Sequence, residues 1–133
     1  MHEVRLQVRW RDMDAYGDVN NAVYLNYLEE ARDAWVDKVL GPVADDVWHF
    51  VLARVAIDFR RELNQDDGEI VVRCGLDSIG RSSIRTREDI RTLGGELSAE
   101  AAAVIVPRDP QTGASRPLTA DERAALEREL SGG

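Results

Sequence analysis

One apolar segment restricts the possible folds of this chain more than any other, and it runs from about Ala22 to Leu40. Apolar residues recur along it at steps of three and four, which is the spacing of one face of an α-helix. They are Tyr24, Leu28, Ala31, Trp35 and Val39, widened by Leu25, Tyr27, Val36 and Leu40. A stripe this wide predicts a helix that other elements wrap rather than a surface helix. Gly41-Pro42 predicts its end.

Five further segments alternate apolar and polar residues, the period of a half-buried β-strand. They cover residues 4–10, 51–60, 70–76, 84–90 and 97–106. Residues 119–130 predict a short second helix, in which Thr119 and Glu122 have the spacing of a capping box.

The order of these elements is strand, helix and then four strands, which we expect to form an antiparallel meander around the helix. This predicts an α+β fold, because each element must bury its apolar face against another. The chain of 133 residues fits one domain, so we expect a single domain over residues 1–133. Such a sheet leaves an unpaired edge, which pairing between copies would cover. We therefore expect a homodimer or homotetramer.

Composition excludes several classes of function. The net charge of −8 argues against nonspecific nucleic-acid binding, which needs a positive surface. There is no signal-like apolar segment at the start and no apolar run long enough to span a bilayer, so we expect a soluble, cytoplasmic protein without a membrane partner. The single Cys74 alternates with apolar residues, which favours a core thiol over a nucleophile. Neither a metal-ligand spacing nor a serine-hydrolase elbow is present, and we expect no cofactor.

A short polar loop leads directly into the long helix. Gly17 permits a turn within it, and Asn20 or Asn21 is a candidate N-cap. Asp14 precedes a helix start, where free N–H groups and a partial positive charge are available. Two interpretations follow from the residues alone: a carboxylate placed for chemistry, or a charged loop that only caps the helix.

Residues 12–24 read Asp-Met-Asp-Ala-Tyr-Gly-Asp-Val-Asn-Asn-Ala-Val-Tyr. With the flanking residues of Arg9–Arg32, they resemble the signature of hotdog-fold acyl-CoA thioesterases of the 4-hydroxybenzoyl-CoA thioesterase-like family. That pattern is approximately Asp-x-Asp-x-x-Gly-His-Val-Asn-Asn-x-x-Tyr before a central helix. The resemblance implies a hotdog fold, which is an antiparallel sheet wrapped around one long helix. It also implies an oligomer and the hydrolysis of acyl thioesters.

The resemblance assigns roles to individual residues. Asp14 matches the catalytic carboxylate of the family, as nucleophile or as base for a water molecule. Backbone amides around Val19, Asn20 and Asn21 are expected to polarise the thioester carbonyl, and we assign Asn21 to catalysis with Asp14. The motif also implies substrate contacts, which we expect from Gly17, Asp18, Val19, Asn20 and Tyr24.

A second segment, Ile79–Ser83, resembles the strand and turn that line the pantetheine arm in relatives. Arg81 and Ser83 are therefore expected to bind substrate. Arg81 with Arg85, or Arg60 with Arg61, are candidates for contact with CoA phosphates. The alternative for these arginines is a solvated strand edge.

Asp18 departs from the family pattern, which usually has His at this position, although some branches have an aliphatic residue there. An acid would repel Asp14. Asp12 is expected to be structural, and His49 is expected to be a strand-end histidine rather than a substitute for the missing one.

We therefore predict an enzyme that hydrolyses an acyl-CoA or carrier-protein thioester to acid and thiol. The alternative is a hotdog domain that binds acyl thioesters without hydrolysing them, which Asp18 favours. A hydratase or dehydratase fits less well, because those enzymes usually need Asp and His in one site.

Overall fold

The computed structural model describes residues 1–132 of the chain, whose main layers are one sheet and one long helix. The elements in chain order are β1 (His2–Gln7), α1 (Asn21–Leu40), β2 (Phe50–Phe59), β3 (Glu69–Ile79), β4 (Ile84–Thr92), β5 (Leu97–Pro107) and α2 (Ala120–Gly132). Within residues 1–132, neither helix is long and apolar enough to cross a membrane.

The predicted central helix is confirmed as α1. Asn20 caps it, since its side-chain oxygen accepts a hydrogen bond from Ala22 N. The apolar stripe is buried along its whole length, although Leu25 faces outward. The buried residues of α1 are Tyr24, Tyr27, Leu28, Ala31, Arg32, Trp35, Val36, Val39 and Leu40.

The five strands form one antiparallel sheet in the order β1-β3-β4-β5-β2. The predicted meander of the last four strands is therefore wrong for β2, which pairs with β5 and not with β3. The chain between them crosses the end of the sheet over three strand spacings, about 14 Å. Residues 60–68 can span about 30 Å, so a short link suffices. We call these residues the crossing segment.

The inner face of the sheet packs on α1. Ile70, Val72 and Cys74 of β3 point inward with Ile84 and Ile90 of β4, and all five are fully buried. One sheet thus wraps one long helix, and the predicted hotdog fold is confirmed. The thiol of Cys74 lies in this core as predicted, and burial raises its pKa.

The outer face of the sheet is charged. Ion pairs lie on this face with N–O distances of 2.6 to 3.8 Å. Arg5–Glu69 joins β1 to β3, Arg73–Asp89 joins β3 to β4, and Arg91–Asp89 lies within β4. Arg60, just after β2, pairs with Glu100 of β5. Polar residues on this side and apolar residues on the other explain the alternation seen in the sequence.

The first strand ends earlier than predicted. β1 stops at Gln7, and Trp10, which we expected in the strand, begins a short 3-10 turn and is exposed. The turn forms because Asp12 accepts hydrogen bonds from the backbone and side chain of Arg9, closing the chain locally instead of extending it.

The predicted capping box of α2 is present. Glu122 N donates to Thr119 Oγ1 and Thr119 N donates to Glu122 Oε1, at 3.1 and 2.9 Å. The Glu122 carboxylate is buried and also accepts two hydrogen bonds from Arg116, each at 2.9 Å. Burial raises the pKa of Glu122, but the bonds from Arg116 and Thr119 outweigh it and the net pKa is lowered.

Replacing Glu122 by Gln is expected to lower the free energy of unfolding at neutral pH by about 2 kcal/mol, because it removes the charge that pairs with Arg116. A carboxyl with a lowered pKa stabilises the fold above its ordinary value of 4.5 and loses this effect as pH falls through the folded-state pKa. The difference between the two proteins should therefore shrink in acid. Urea unfolding at several pH values measures it, with the exposed Glu127→Gln on the same helix as control. An equal difference at all pH values would contradict the role of this charge.

Candidate active site

The loop before α1 folds as a tight hairpin. Met13 and Val19 pair as an isolated antiparallel bridge. Inside it, Asp14 N donates to Asp18 O at 2.9 Å and Gly17 N donates to Asp14 O at 3.1 Å. Gly17 has a φ of 83°, a conformation that favours glycine, so the turn depends on this residue.

The carboxylate of Asp14 is half-buried and oriented by its own loop. Its Oδ1 accepts a hydrogen bond from Tyr16 N at 2.9 Å. Its Oδ2 receives no hydrogen bond from any residue in the described part of the chain. One oxygen is thus held while the other is available to a ligand or a water molecule.

The backbone amides at the helix start differ in availability. Val19 N donates to Leu63 O at 2.7 Å, and Asn20 N donates to Asp12 O at 2.9 Å. Asn21 is the first residue of α1, and its N–H has no acceptor among residues 1–132. Of the three amides that we expected to polarise a carbonyl, only that of Asn21 is free to do so.

A cavity of about 550 Å³ lies beside this loop. The predicted residues Asp14, Asp18, Val19, Asn21 and Tyr24 line it, together with residues 59–62 from the end of β2 and the crossing segment. The structure therefore brings five of the nine predicted site residues into one wall. It also places Arg60 and Arg61 there, one of the two arginine pairs considered for phosphate contact.

The other four predicted residues do not line this cavity. Gly17 and Asn20 belong to the same loop and have the structural roles described above, the turn and the helix cap. Arg81 and Ser83 lie in the turn between β3 and β4, whereas the crossing segment precedes β3. The 11 residues of β3 separate these two ends by about 33 Å. Within one chain, Arg81 and Ser83 are therefore too distant to meet a group at Asp14.

Glu62 is a residue of this cavity that the sequence did not reveal. The chain holds it in place through the next residue, because Leu63 accepts from Val19 N and its own N–H donates to the hydroxyl of Tyr24 at 3.0 Å. The nearby carboxyl of Asp18 is the main cause that raises the pKa of Glu62, and Asp14 adds to it. Asp18 thus acts on the pKa of Glu62 first through hydrogen bonding between the two carboxyls and then through its charge. No local pattern marks Glu62, because it stands in an ordinary polar link.

Asp12 has a structural role in the geometry. It is buried and accepts hydrogen bonds from Arg9 and from the hydroxyl of Tyr27, the latter at 2.7 Å. Burial raises the pKa of Asp12, but these bonds outweigh it and lower the pKa overall. A carboxylate that is already saturated by donors is poorly suited to attack a substrate.

A second cavity, of about 490 Å³, lies along the C-terminal half of α1 and the start of β2. Arg32 lines it and is buried against Glu88 of β4. No group of three or more His, Cys, Asp or Glu side chains that could hold a metal ion occurs within residues 1–132.

The fold and sequence are similar to known thioesterases. A thioesterase from Thermus thermophilus, solved with coenzyme A and Zn, is 33% identical with a TM-score of 0.83, over 93% of this chain and 95% of that one. The probable thioesterase YbaW from Escherichia coli is 26% identical with a TM-score of 0.80, over 98% and 99% of the two chains.

Curated relatives match over a shorter segment. The chloroplastic acyl-acyl carrier protein thioesterase ATL2 of Arabidopsis thaliana is 45% identical over 38 residues, which are 29% of this chain and 20% of that protein. A sequence model of the thioesterase-like superfamily matches residues 8–126, which include the hairpin loop, α1 and all strands after β1. The chain belongs to the thioesterase-like superfamily.

Proposed function

We propose that this protein hydrolyses acyl-CoA or acyl-carrier-protein thioesters to the free acid and thiol. The observation that carries the proposal is the pairing of an open carboxylate oxygen, Asp14 Oδ2, with an open helix-start amide, Asn21 N–H, on one cavity wall. The Thermus thermophilus relative was solved with coenzyme A, and the Arabidopsis relative is named for acyl-carrier-protein thioesters. The predicted cytoplasmic location stays a prediction.

The reaction needs a nucleophile and a donor for the oxyanion. The N–H of Asn21 would donate to the thioester carbonyl oxygen, where negative charge develops, and one such donor contributes about 3 kcal/mol. Asp14 would either attack the carbonyl carbon itself or take a proton from an attacking water. In the first case the C–S bond breaks and the thiolate leaves; water then hydrolyses the mixed anhydride, which releases the acid, restores the Asp14 carboxylate and supplies the proton that the thiolate takes up. In the second case the water oxygen bonds to carbon, the C–S bond breaks, and the proton held by Asp14 passes to the thiolate.

We further propose that the working unit is a homodimer joined through β2. This strand forms one edge of the sheet, and Leu52 and Phe59 are exposed on it. The Asp14 cavity lies at its end, whereas the second cavity lies at its start with Phe50 and Leu52. Antiparallel pairing of two copies of β2 about a two-fold axis would place the Asp14 cavity of each chain beside the second cavity of the partner. Arg81 and Ser83 lie at the same end of the sheet as the second cavity, so the pairing would also bring them to the Asp14 site of the partner.

A panel of aliphatic and aromatic acyl-CoAs and an acyl-carrier-protein ester tests the proposal, with free thiol release as the measurement. We expect turnover of at least one ester. Tight binding of CoA esters without turnover would instead identify the alternative, a non-hydrolytic acyl-thioester-binding domain. The specific observation that favours this alternative is Asp18, which occupies the usual His position and adds negative charge beside Glu62.

Replacing Asp18 by His is expected to change kcat/KM by less than about threefold, because oxyanion stabilisation usually outweighs one additional acid or base. Asp18→Asn keeps the shape of the side chain but removes the carboxyl, with its charge and its hydrogen bonding to Glu62. There the pKa of Glu62 should fall towards its ordinary value, since Asp18 is the main cause that raises it. NMR titration of the Glu62 carboxyl measures this pKa. A tenfold or greater gain of activity in Asp18→His would mark the native protein as a weakened thioesterase.

A further inference from the structure

An ion pair lies inside the contact between α1 and the sheet. Arg32 and Glu88 are only 5% and 2% exposed. Arg32 Nε and Nη2 donate to the two carboxylate oxygens of Glu88 at 2.8 and 2.7 Å, and Thr86 Oγ1 donates to Glu88 Oε2 at 2.8 Å. Well-packed apolar residues often stabilise such a position equally well or better, so stability is a weak reason for a buried pair.

The third nitrogen of the Arg32 guanidinium is available as a hydrogen-bond donor. Nη1 of Arg32 donates to no acceptor in residues 1–132. Every buried polar side-chain atom described has a hydrogen-bond partner, so Nη1 must retain contact with solvent. The second cavity is the solvent space that Arg32 lines. Although burial lowers the pKa of Arg32, the hydrogen bonds to Glu88 outweigh it, and the group remains a cationic donor.

The cavity itself has the character of a ligand pocket. Its volume of about 490 Å³ falls in the range of small-molecule sites. Apolar side chains line it from three elements, including Val36 of α1, Phe50 of β2 and Ile105 of β5. Its charged residues are three exposed acids, Glu29, Asp33 and Asp37, and one buried cation, Arg32. A few placed polar groups in a mainly apolar wall are the usual way in which such sites select their ligands.

We propose that this cavity holds the acyl group of the substrate and that Arg32 selects acyl groups bearing a neutral oxygen, a hydroxyl or a ketone. The inference names the substrate class of the proposed thioester hydrolysis. It rests on that function and on the proposed homodimer, because the second cavity lies at the opposite end of β2 from Asp14 and would meet the Asp14 cavity of the partner. A neutral oxygen fits better than a carboxylate for two reasons. Glu88 already balances the charge of Arg32, and the exposed acids Glu29, Asp33 and Asp37 line the same cavity. An acyl chain with no oxygen would leave Nη1 without a partner in a partly desolvated site, which is unfavourable.

The test compares decanoyl-CoA with isomers that carry a hydroxyl or ketone near the thioester, in the middle of the chain or at its far end. We expect at least one oxygenated ester to be hydrolysed with a kcat/KM at least about tenfold above that of decanoyl-CoA, because sites with a directed donor discriminate strongly. In the double variant Arg32→Met with Glu88→Leu, which leaves no unpaired buried charge, the ratio should fall to about one.

Two further variants keep the outcome decisive. Arg32→Lys retains a cation beside Glu88, but its single nitrogen is taken up by that carboxylate and no other nitrogen remains for the ligand. The ratio should therefore fall in this variant as well, and it provides the test if the double variant does not fold. Lys38→Met removes an exposed cation from the same helix away from the cavity and should keep the native ratio. Equal hydrolysis of all esters, or a preference that survives in the Arg32 variants, would overturn the inference while leaving thioester hydrolysis intact. No hydrolysis of any CoA or carrier-protein ester would contradict the proposed function itself.

Discussion

Replacing Asp14 by Asn is expected to lower kcat by at least about a hundredfold, the lower range for loss of a positioned base or nucleophile. Asn keeps the shape of the side chain, and its amide oxygen can still accept the hydrogen bond from Tyr16 N that orients the loop. What it loses is the negative charge of the open oxygen. The effect should therefore appear in kcat, with the thermal stability of the fold almost unchanged.

The control is Asp66→Asn, which makes the same change at an exposed turn residue outside the cavity. Steady-state thiol release by both variants, on the best ester of the panel, gives the comparison. Near-native turnover in Asp14→Asn would remove this carboxylate from the mechanism. Thioester hydrolysis would then need another group in the cavity, and Glu62 would be the first to test.

Replacing Leu52 by Lys is expected to separate the proposed dimer. Each Leu side chain lost from an apolar contact costs about 2 kcal/mol, and a two-fold dimer contains the change twice, so Kd should rise at least about a hundredfold. Two added cations near the axis would also repel each other. Turnover should fall in parallel, because each Asp14 site would lose the cavity and the Arg81 turn of the partner. Since Leu52 also lines the second cavity, a loss of turnover alone is not diagnostic, and the oligomeric state decides the test.

Sedimentation equilibrium measures the dimer, and the matched control is Leu130→Lys, an equally exposed leucine on α2. A native protein that is monomeric at micromolar concentration and still active would contradict the dimer. Full activity of a monomeric Leu52→Lys variant would show instead that each chain carries a complete site.

Local sequence patterns predicted the elements better than their pairing. Alternation along β2 and β3 identified both strands, but it carries no information about which neighbour each one meets. The crossing segment determines which strands pair. Leu63 in this segment forms hydrogen bonds with the hairpin loop and with Tyr24, and these contacts direct the chain past the end of the sheet. Such a contact between residues 39 positions apart has no local signature.

The sequence predicted only the part of the candidate site that is local in the chain. The motif from Asp14 to Tyr24 is continuous in sequence, and a local loop and helix start hold it together. Arg81 and Ser83 come from a different end of the sheet, and only an assembly of two chains could bring them to Asp14. Pairing between chains is not visible in the sequence of one.

Arg32 was missed although the sequence contains a signal for it. It follows Leu28 by four residues and precedes Trp35 by three, which places a charge inside the apolar stripe of α1. Glu88 likewise shares the inner face of β4 with Ile84 and Ile90. Two opposite charges at apolar positions of two packed elements predict a buried ion pair, because neither is tolerated there alone.

The ion pairs on the outer face of the sheet also limit how far the protein can assemble. Two sheets stacked back to back would trap these charges between layers and remove the water that solvates them. The penalty is several kcal/mol for each ion, and attraction within the existing pairs does not increase enough to cancel it. The outer face should therefore remain hydrated at high protein concentration, which protects the five-stranded sheet from aggregation by face-to-face stacking. Growth beyond two chains would have to use other surfaces.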